Sequence, residues 1–156
     1  MNFDISFERV TLETATPFGI ARGTTNQTEN VIIRIEHGEY VGIGAAAPST
    51  HYGETADTVV GVLPQLFAVV QDINDPHAIA AVHDGMEHIV QRNPAAKAAI
   101  DIALHDLAAK QVDLPLYRYL GLGDSGLTSS YTVSLTAPET MSDRARRAVE
   151  SGYDTL

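Results

Sequence analysis

The chain has 156 residues, 44% hydrophobic and 19% charged, with a formal net charge of −10 and no cysteine. This is globular composition, sized for one ordinary domain or one domain plus a piece of another. The acidic excess repels phosphate backbones and argues against a nucleic-acid partner. Without cysteine there are no disulfides, no thiolate metal sites and no cysteine nucleophile. No uninterrupted run of about eighteen apolar residues occurs, and no basic-then-apolar amino terminus. Neither a membrane span nor a signal peptide is therefore predicted, and the default location is cytoplasmic. Only Lys97 and Lys110 are lysine, and an acidic, lysine-poor chain suits a high-salt cytoplasm as well as an ordinary one.

In chain order, Phe3, Ile5 and Phe7 alternate with polar neighbours, and Val10 and Leu12 continue after a one-residue slip, which predicts a strand with a bulge. Residues 14–29, rich in Thr, Gly, Asn and Gln with Pro17 near the start, are expected to form a long polar loop. Loops of that size inside compact domains are more often functional than incidental. Val31 to Ile35 is strongly β-prone, Glu36-His37-Gly38-Glu39 is a turn, and Tyr40 to Gly44 returns as a third strand. The opening is thus a three-stranded antiparallel meander.

A second polar loop, Pro48 to Gly53, precedes a change to helical period. Residues 54–70 predict two short helices or one kinked at Pro64. Asp75-Pro76 opens another helix to about Arg92, with Asp at the N-cap and Pro at the first helical position. Asn93-Pro94 repeats that signal and starts a helix to about Gln111. Its stripe of Ala96, Ala99, Ile100, Ala103, Leu104 and Leu107 predicts close packing. Leu114-Pro115-Leu116 starts a short helical turn closed by Gly121. Beyond a Gly-rich linker, Tyr131 to Ser134 reads as a strand, Pro138 to Ser151 as a helix and Asp154 to Leu156 as a second strand, the opening of an α/β layer or barrel. Because the last residues read as the start of a buried strand, the chain is expected to be the front part of a larger protein.

Few residues offer chemistry. His83 and His88 are five apart and point to different helix faces, and no His-x-x-x-His pair exists. His105 follows Asp101 by four residues, the spacing of a surface ion pair. Gly-x-Ser-x-Gly is absent, and Gly121-x-Gly123 lacks the strand-to-helix context of a phosphate loop. The remaining candidates lie in the two loops and the strand beyond the linker. Arg22 could clamp a carboxylate or be a solvated loop side chain. Tyr52 could wall a pocket or pack under its own loop, and Thr132 faces either a barrel interior or its surrounding helices.

The helix Ala96 to Lys110, followed by Pro115-Leu116-Tyr117-Arg118-Tyr119-Leu120-Gly121, resembles the muconate lactonizing enzyme subgroup of the enolase superfamily. Thr16-Pro17-Phe18, Glu29-Asn30-Val31, Gly42-x-Gly44, Pro48, Tyr131-Thr132-Val133-Ser134 and Gly152 to Leu156 support the likeness, which covers essentially the whole chain. The resemblance implies an α+β capping domain (a three-stranded antiparallel meander plus helices) over residues 1–122. Residues 123–156 are then the first β-α-β elements of an incomplete (β/α)8 barrel.

It implies removal of a proton α to a carboxylate with Mg²⁺ as cofactor. The family's Lys-x-Lys, its three carboxylate metal ligands and its second acid/base lysine follow later than these residues. No catalytic or metal residue is therefore assigned here, and this chain alone is expected to be inactive. Arg22, Thr24, Tyr52 and Thr132 are left as substrate-binding residues.

Tyr-Thr-Val-Ser looks like the first barrel strand of dipeptide epimerases, which favours an Ala-Glu-like dipeptide as substrate and epimerisation as the reaction. Muconate cycloisomerisation, N-acylamino acid racemisation and o-succinylbenzoate synthesis are the alternatives inside the subgroup, and a non-catalytic binding module is the alternative outside it. A small-molecule carboxylate partner, no nucleic acid, no membrane and a homo-oligomeric full-length form complete the expectation.

Overall fold

The computed structural model describes residues 2–20, 23–123 and 126–156. Among them β1 (Asp4–Ile20), β2 (Gly23–His37) and β3 (Tyr40–Ala46) form one sheet in the order β1-β2-β3. A 3-10 turn (Thr50–Tyr52) leads into α1 (Ala56–Ile73), α2 (Ile79–Ile89), α3 (Pro94–Gln111), α4 (Leu116–Tyr119) and α5 (Pro138–Glu150). The chain divides into two compact units. One comprises Met1–Leu12 with Glu29–Gly123, the other Glu13–Thr28 with Asp124–Leu156.

The first unit is built on size complementarity. β2 and β3 pair antiparallel, with Ile33 opposite Gly44 and Ile35 opposite Gly42. Val31, Ile33 and Ile35 are fully buried on one face, as a period of two requires. The glycines open the neighbouring rows to α3. A Cβ on Gly42 would lie 2.0 Å from the carbonyl oxygen of Ala103, and one on Gly44 would lie 1.9 Å from that of Ala99. Helix backbone thus rests directly on strand backbone, and the buried alanines Ala96, Ala99 and Ala103 are the reciprocal feature. Leu104, Leu107 and Ile100 then fill the core with Leu63, Leu66, Val70, Val82 and Met86 of α1 and α2.

β3 lies at an edge of the sheet, and α3 covers its outward polar groups. Asp106 Oδ2 accepts the Ile43 N–H at 2.9 Å, while Lys110 Nζ donates to the Val41 carbonyl at 2.8 Å and to Asp106 at 2.7 Å.

α1 runs through Pro64 as a single helix. It opens on a reciprocal Thr55–Thr58 capping box and ends on a left-handed Asn74. It is long and apolar enough to pass a length-and-composition test for a membrane span. Its face Ala56, Val59, Leu63, Leu66, Val69 and Val70 is nevertheless buried in the core.

Four expectations need correction. Residues 14–29 are not a loop, because β1 and β2 extend through the described part of them as a hairpin. The Thr14 hydroxyl reaches across it to the Asn26 carbonyl at 3.1 Å. Helix α2 begins at Ile79 rather than Pro76. Asp75 closes a turn of its own, accepting the His77 N–H at 2.9 Å, and that side chain-to-backbone bond competes with a helical start. The same helix stops at Ile89, short of the left-handed Arg92 and Asn93.

In the second unit, Tyr131 to Ser134 is not a continuous strand. Ser130 and Thr155 form one parallel bridge, with Tyr131 N–H donating to Thr155 O at 2.9 Å. The parallel sense with α5 between the two segments is that of a βαβ unit.

Candidate functional site

In the second unit the hairpin end meets the segment that carries Thr132. Gly19 on β1 is buried, and both of its backbone polar groups are taken. Its N–H donates to Ser134 Oγ at 2.7 Å, and its carbonyl accepts the Leu135 N–H at 2.8 Å. Ser134 is 6% exposed, and its hydroxyl lies 3.4 Å from the carbonyls of Pro17 and Gly19. Thr24, on the returning strand, has its hydroxyl 3.5 Å from where a Gly19 Cβ would stand. Thr24 and Thr132 are both solvent-exposed. Gly23, which precedes Thr24, adopts φ 143, a conformation that side chains disfavour. Arg22 lies outside the described residues.

The first unit holds Tyr52. Its ring is 75% exposed and stands edge-on to His51 at 5.0 Å between centroids. The turn beneath it is fixed at both ends. Ser49 caps it, accepting the His51 N–H at 3.3 Å, and Gly53 closes it with φ 76. Glu54, 5% exposed, then reaches the N-terminus of α3, where its Oε1 accepts the Ala95 N–H at 3.1 Å. Asn93 had the composition of the cap but adopts a left-handed conformation and makes no side-chain cap bond. A carboxylate at a helix N-terminus satisfies an orphan donor and complements the helix dipole. Glu54 therefore ties the Tyr52 turn to the core helix.

Neither lysine is free for proton transfer. Lys97, with 6% of its side chain exposed, places Nζ 2.7 Å from Glu87 Oε1. That ammonium is the main reason the Glu87 carboxyl is held below the usual carboxylate range. Lys110 is occupied by Asp106 and the Val41 carbonyl. His105 Nδ1 lies 2.9 Å from the Asp101 carbonyl oxygen and 3.3 Å from its Oδ2, a contact along the helix at the four-residue spacing. Among the described residues no group of three or more His, Asp or Glu side chains is placed to hold a metal ion. The described side chains therefore do not form a Mg²⁺ site.

Two residues with clear structural roles, Ser134 and Glu54, were not singled out from sequence. Ser134 stood in the motif quoted for its threonine. Glu54 offered no local signal, because its partner lies 41 residues away.

Residues 4–121 match the pattern of the mandelate racemase / muconate lactonizing enzyme N-terminal domain. A hydrophobic dipeptide epimerase of Enterococcus faecalis is 37% identical over 89% of this chain and 40% of its own length. An L-Ala-D/L-Glu epimerase of Bacillus subtilis is 30% identical over 97% of this chain and 42% of its own. The chain thus spans about two fifths of the length of these relatives. The crystal structure of a dipeptide epimerase from Enterococcus faecalis, complexed with Mg and L-Leu-L-Tyr, superposes with a TM-score of 0.90. It is 31% identical, over 100% of this chain and 45% of that one.

Proposed function

Because the chain belongs to the mandelate racemase / muconate lactonizing enzyme family, we propose that it is the N-terminal part of a Mg²⁺-dependent isomerase. The whole protein removes and returns the proton α to a carboxylate, and its substrate is a dipeptide of the Ala-Glu type. The observation that carries this reading is the identity, 37% and 30% over nearly all of this chain, to two dipeptide epimerases.

In this reading residues 1–122 are the capping domain and residues 123–156 begin the barrel. Arg22, Thr24, Tyr52 and Thr132 contact substrate. The exposed Thr24 and Thr132 and the exposed, anchored Tyr52 suit that role. The acid/base lysines and the Mg²⁺ ligands are assigned to other parts of the protein. The chain spans only about two fifths of the length of these relatives, which leaves room for them elsewhere.

The test is hydrogen exchange at the α-carbon in D₂O with Mg²⁺, using the intact gene product and a panel that includes L-Ala-L-Glu and hydrophobic dipeptides. Deuterium incorporation with change of configuration is expected. Turnover of muconate or an N-acylamino acid, with no exchange in any dipeptide, refutes the choice of substrate. No exchange in any carboxylate favours a non-catalytic binding module.

A further inference from the structure

We propose that Ser134 is a positioning residue that locks the β1–β2 hairpin onto the segment bearing Thr132, so that Thr24 and Thr132 address substrate from one rigid unit. The role deepens, and rests on, the dipeptide-isomerase reading. The lock itself is argued from geometry alone.

Ser134 is buried while Thr132 and Leu135 around it are exposed. A buried hydroxyl costs free energy unless it is bonded, and this one is bonded to the Pro17–Gly19 stretch of the hairpin, 115 and 117 residues away. It accepts the Gly19 N–H at 2.7 Å, and its own proton can be directed at the Pro17 or Gly19 carbonyl, each 3.4 Å away. The adjacent Leu135 N–H takes the Gly19 carbonyl at 2.8 Å. One residue of the hairpin is therefore gripped through both of its backbone groups.

Glycine is required at the gripped position. A Cβ on residue 19 would stand 2.7 Å from the Leu135 carbonyl oxygen, inside the distance that any real side chain tolerates. On its other side that Cβ would be 3.5 Å from the Thr24 hydroxyl, so the grip fixes the part of the hairpin where Thr24 sits. Pro17, two residues earlier, stiffens the approach by restricting φ. The partners of the Ser134 hydroxyl are all backbone groups, with no base beside it among them, which fits a lock and not a reacting group.

The experiment combines Ser134→Ala, Gly19→Ala and the double variant. Hydrogen exchange across the full chain is read first. Ser134→Ala leaves the Gly19 N–H without its acceptor, and exchange over residues 13–20 and 23–28 is expected to rise about tenfold. Exchange in α3 should be unchanged. Gly19→Ala should give the same local signature, and the double variant should add little to either single one, because both break one contact.

In the intact gene product, Ser134→Ala should raise KM for the dipeptide about five- to tenfold while kcat stays within about twofold, the pattern of a loosened binding element. Unchanged hairpin exchange, additive effects of the two substitutions, or equal loss in kcat and KM would each overturn the proposal. If no dipeptide is turned over, the substrate reading fails, and the exchange measurements still decide the lock.

Discussion

Replacing Gly44 by Ala adds one methyl group where the structure has no space for it. The new Cβ would lie 1.9 Å from the Ala99 carbonyl oxygen, and contacts tighter than 3.4 Å are uncommon. Strand and helix must therefore separate by roughly 1.5 Å. The obstacle is backbone on both sides, so no rotamer change relieves it. Separation uncovers Ala99, Ala103 and Leu107, all fully buried. Overpacking typically costs 1–3 kcal/mol, and an immovable neighbour puts this case at about 3 kcal/mol or more. That is a large share of the roughly 5–15 kcal/mol that holds a domain together.

Gly61 supplies the internal control. It lies in the exposed interior of α1, and nothing comes within 4 Å of the place a methyl group would take there. Gly61→Ala should therefore stabilise by about 0.5–1 kcal/mol through helix propensity. Urea titration followed by helical circular dichroism reads both variants, with midpoints expected to move in opposite directions. A loss below about 1 kcal/mol for Gly44→Ala, or a loss for Gly61→Ala, would refute the backbone-contact argument.

Two further outcomes follow from the charged residues of the first unit. Glu54→Ala should cost about 1–2 kcal/mol by orphaning the Ala95 N–H, and Glu54→Gln, which keeps an acceptor, should cost less; thermal unfolding distinguishes them. Because Lys97 lowers the folded-state pKa of Glu87, the carboxylate contributes stability above its unfolded pKa and loses it as pH falls through the folded one. The melting temperatures of the parent chain and Glu87→Gln should differ at neutral pH and converge in acid below the ordinary carboxylate range.

Where the sequence carried a local signal, the fold was legible. The Ala stripe with Pro94 at its head located α3 from Pro94 to Gln111, but only the structure shows that it rests on Gly42 and Gly44 of β3. The hairpin is not legible in the sequence because its polar composition is also that of an irregular segment. Thr14, Thr16, Thr24, Thr25 and Thr28 are β-branched, and a ribbon needs backbone pairing more than apolar alternation. The start of α2 was misplaced because Asp75 has the same composition whether it caps a helix or closes a separate turn.

The site divides the same way. Tyr52 and Thr132 are candidates by their place in a polar loop and a strand and Thr24 by resemblance, whereas Ser134 and Glu54 act across 115 and 41 residues, separations at which no local pattern announces a partner.

The Asp106–Lys110 pair has a consequence beyond the monomer. A free strand margin invites another polypeptide to bond alongside it. At β3 an incoming chain would have to evict a carboxylate and an ammonium that already neutralise each other and already occupy the Ile43 and Val41 backbone groups. The helix that fills the hydrophobic interior thus also shields this border against intermolecular β-pairing.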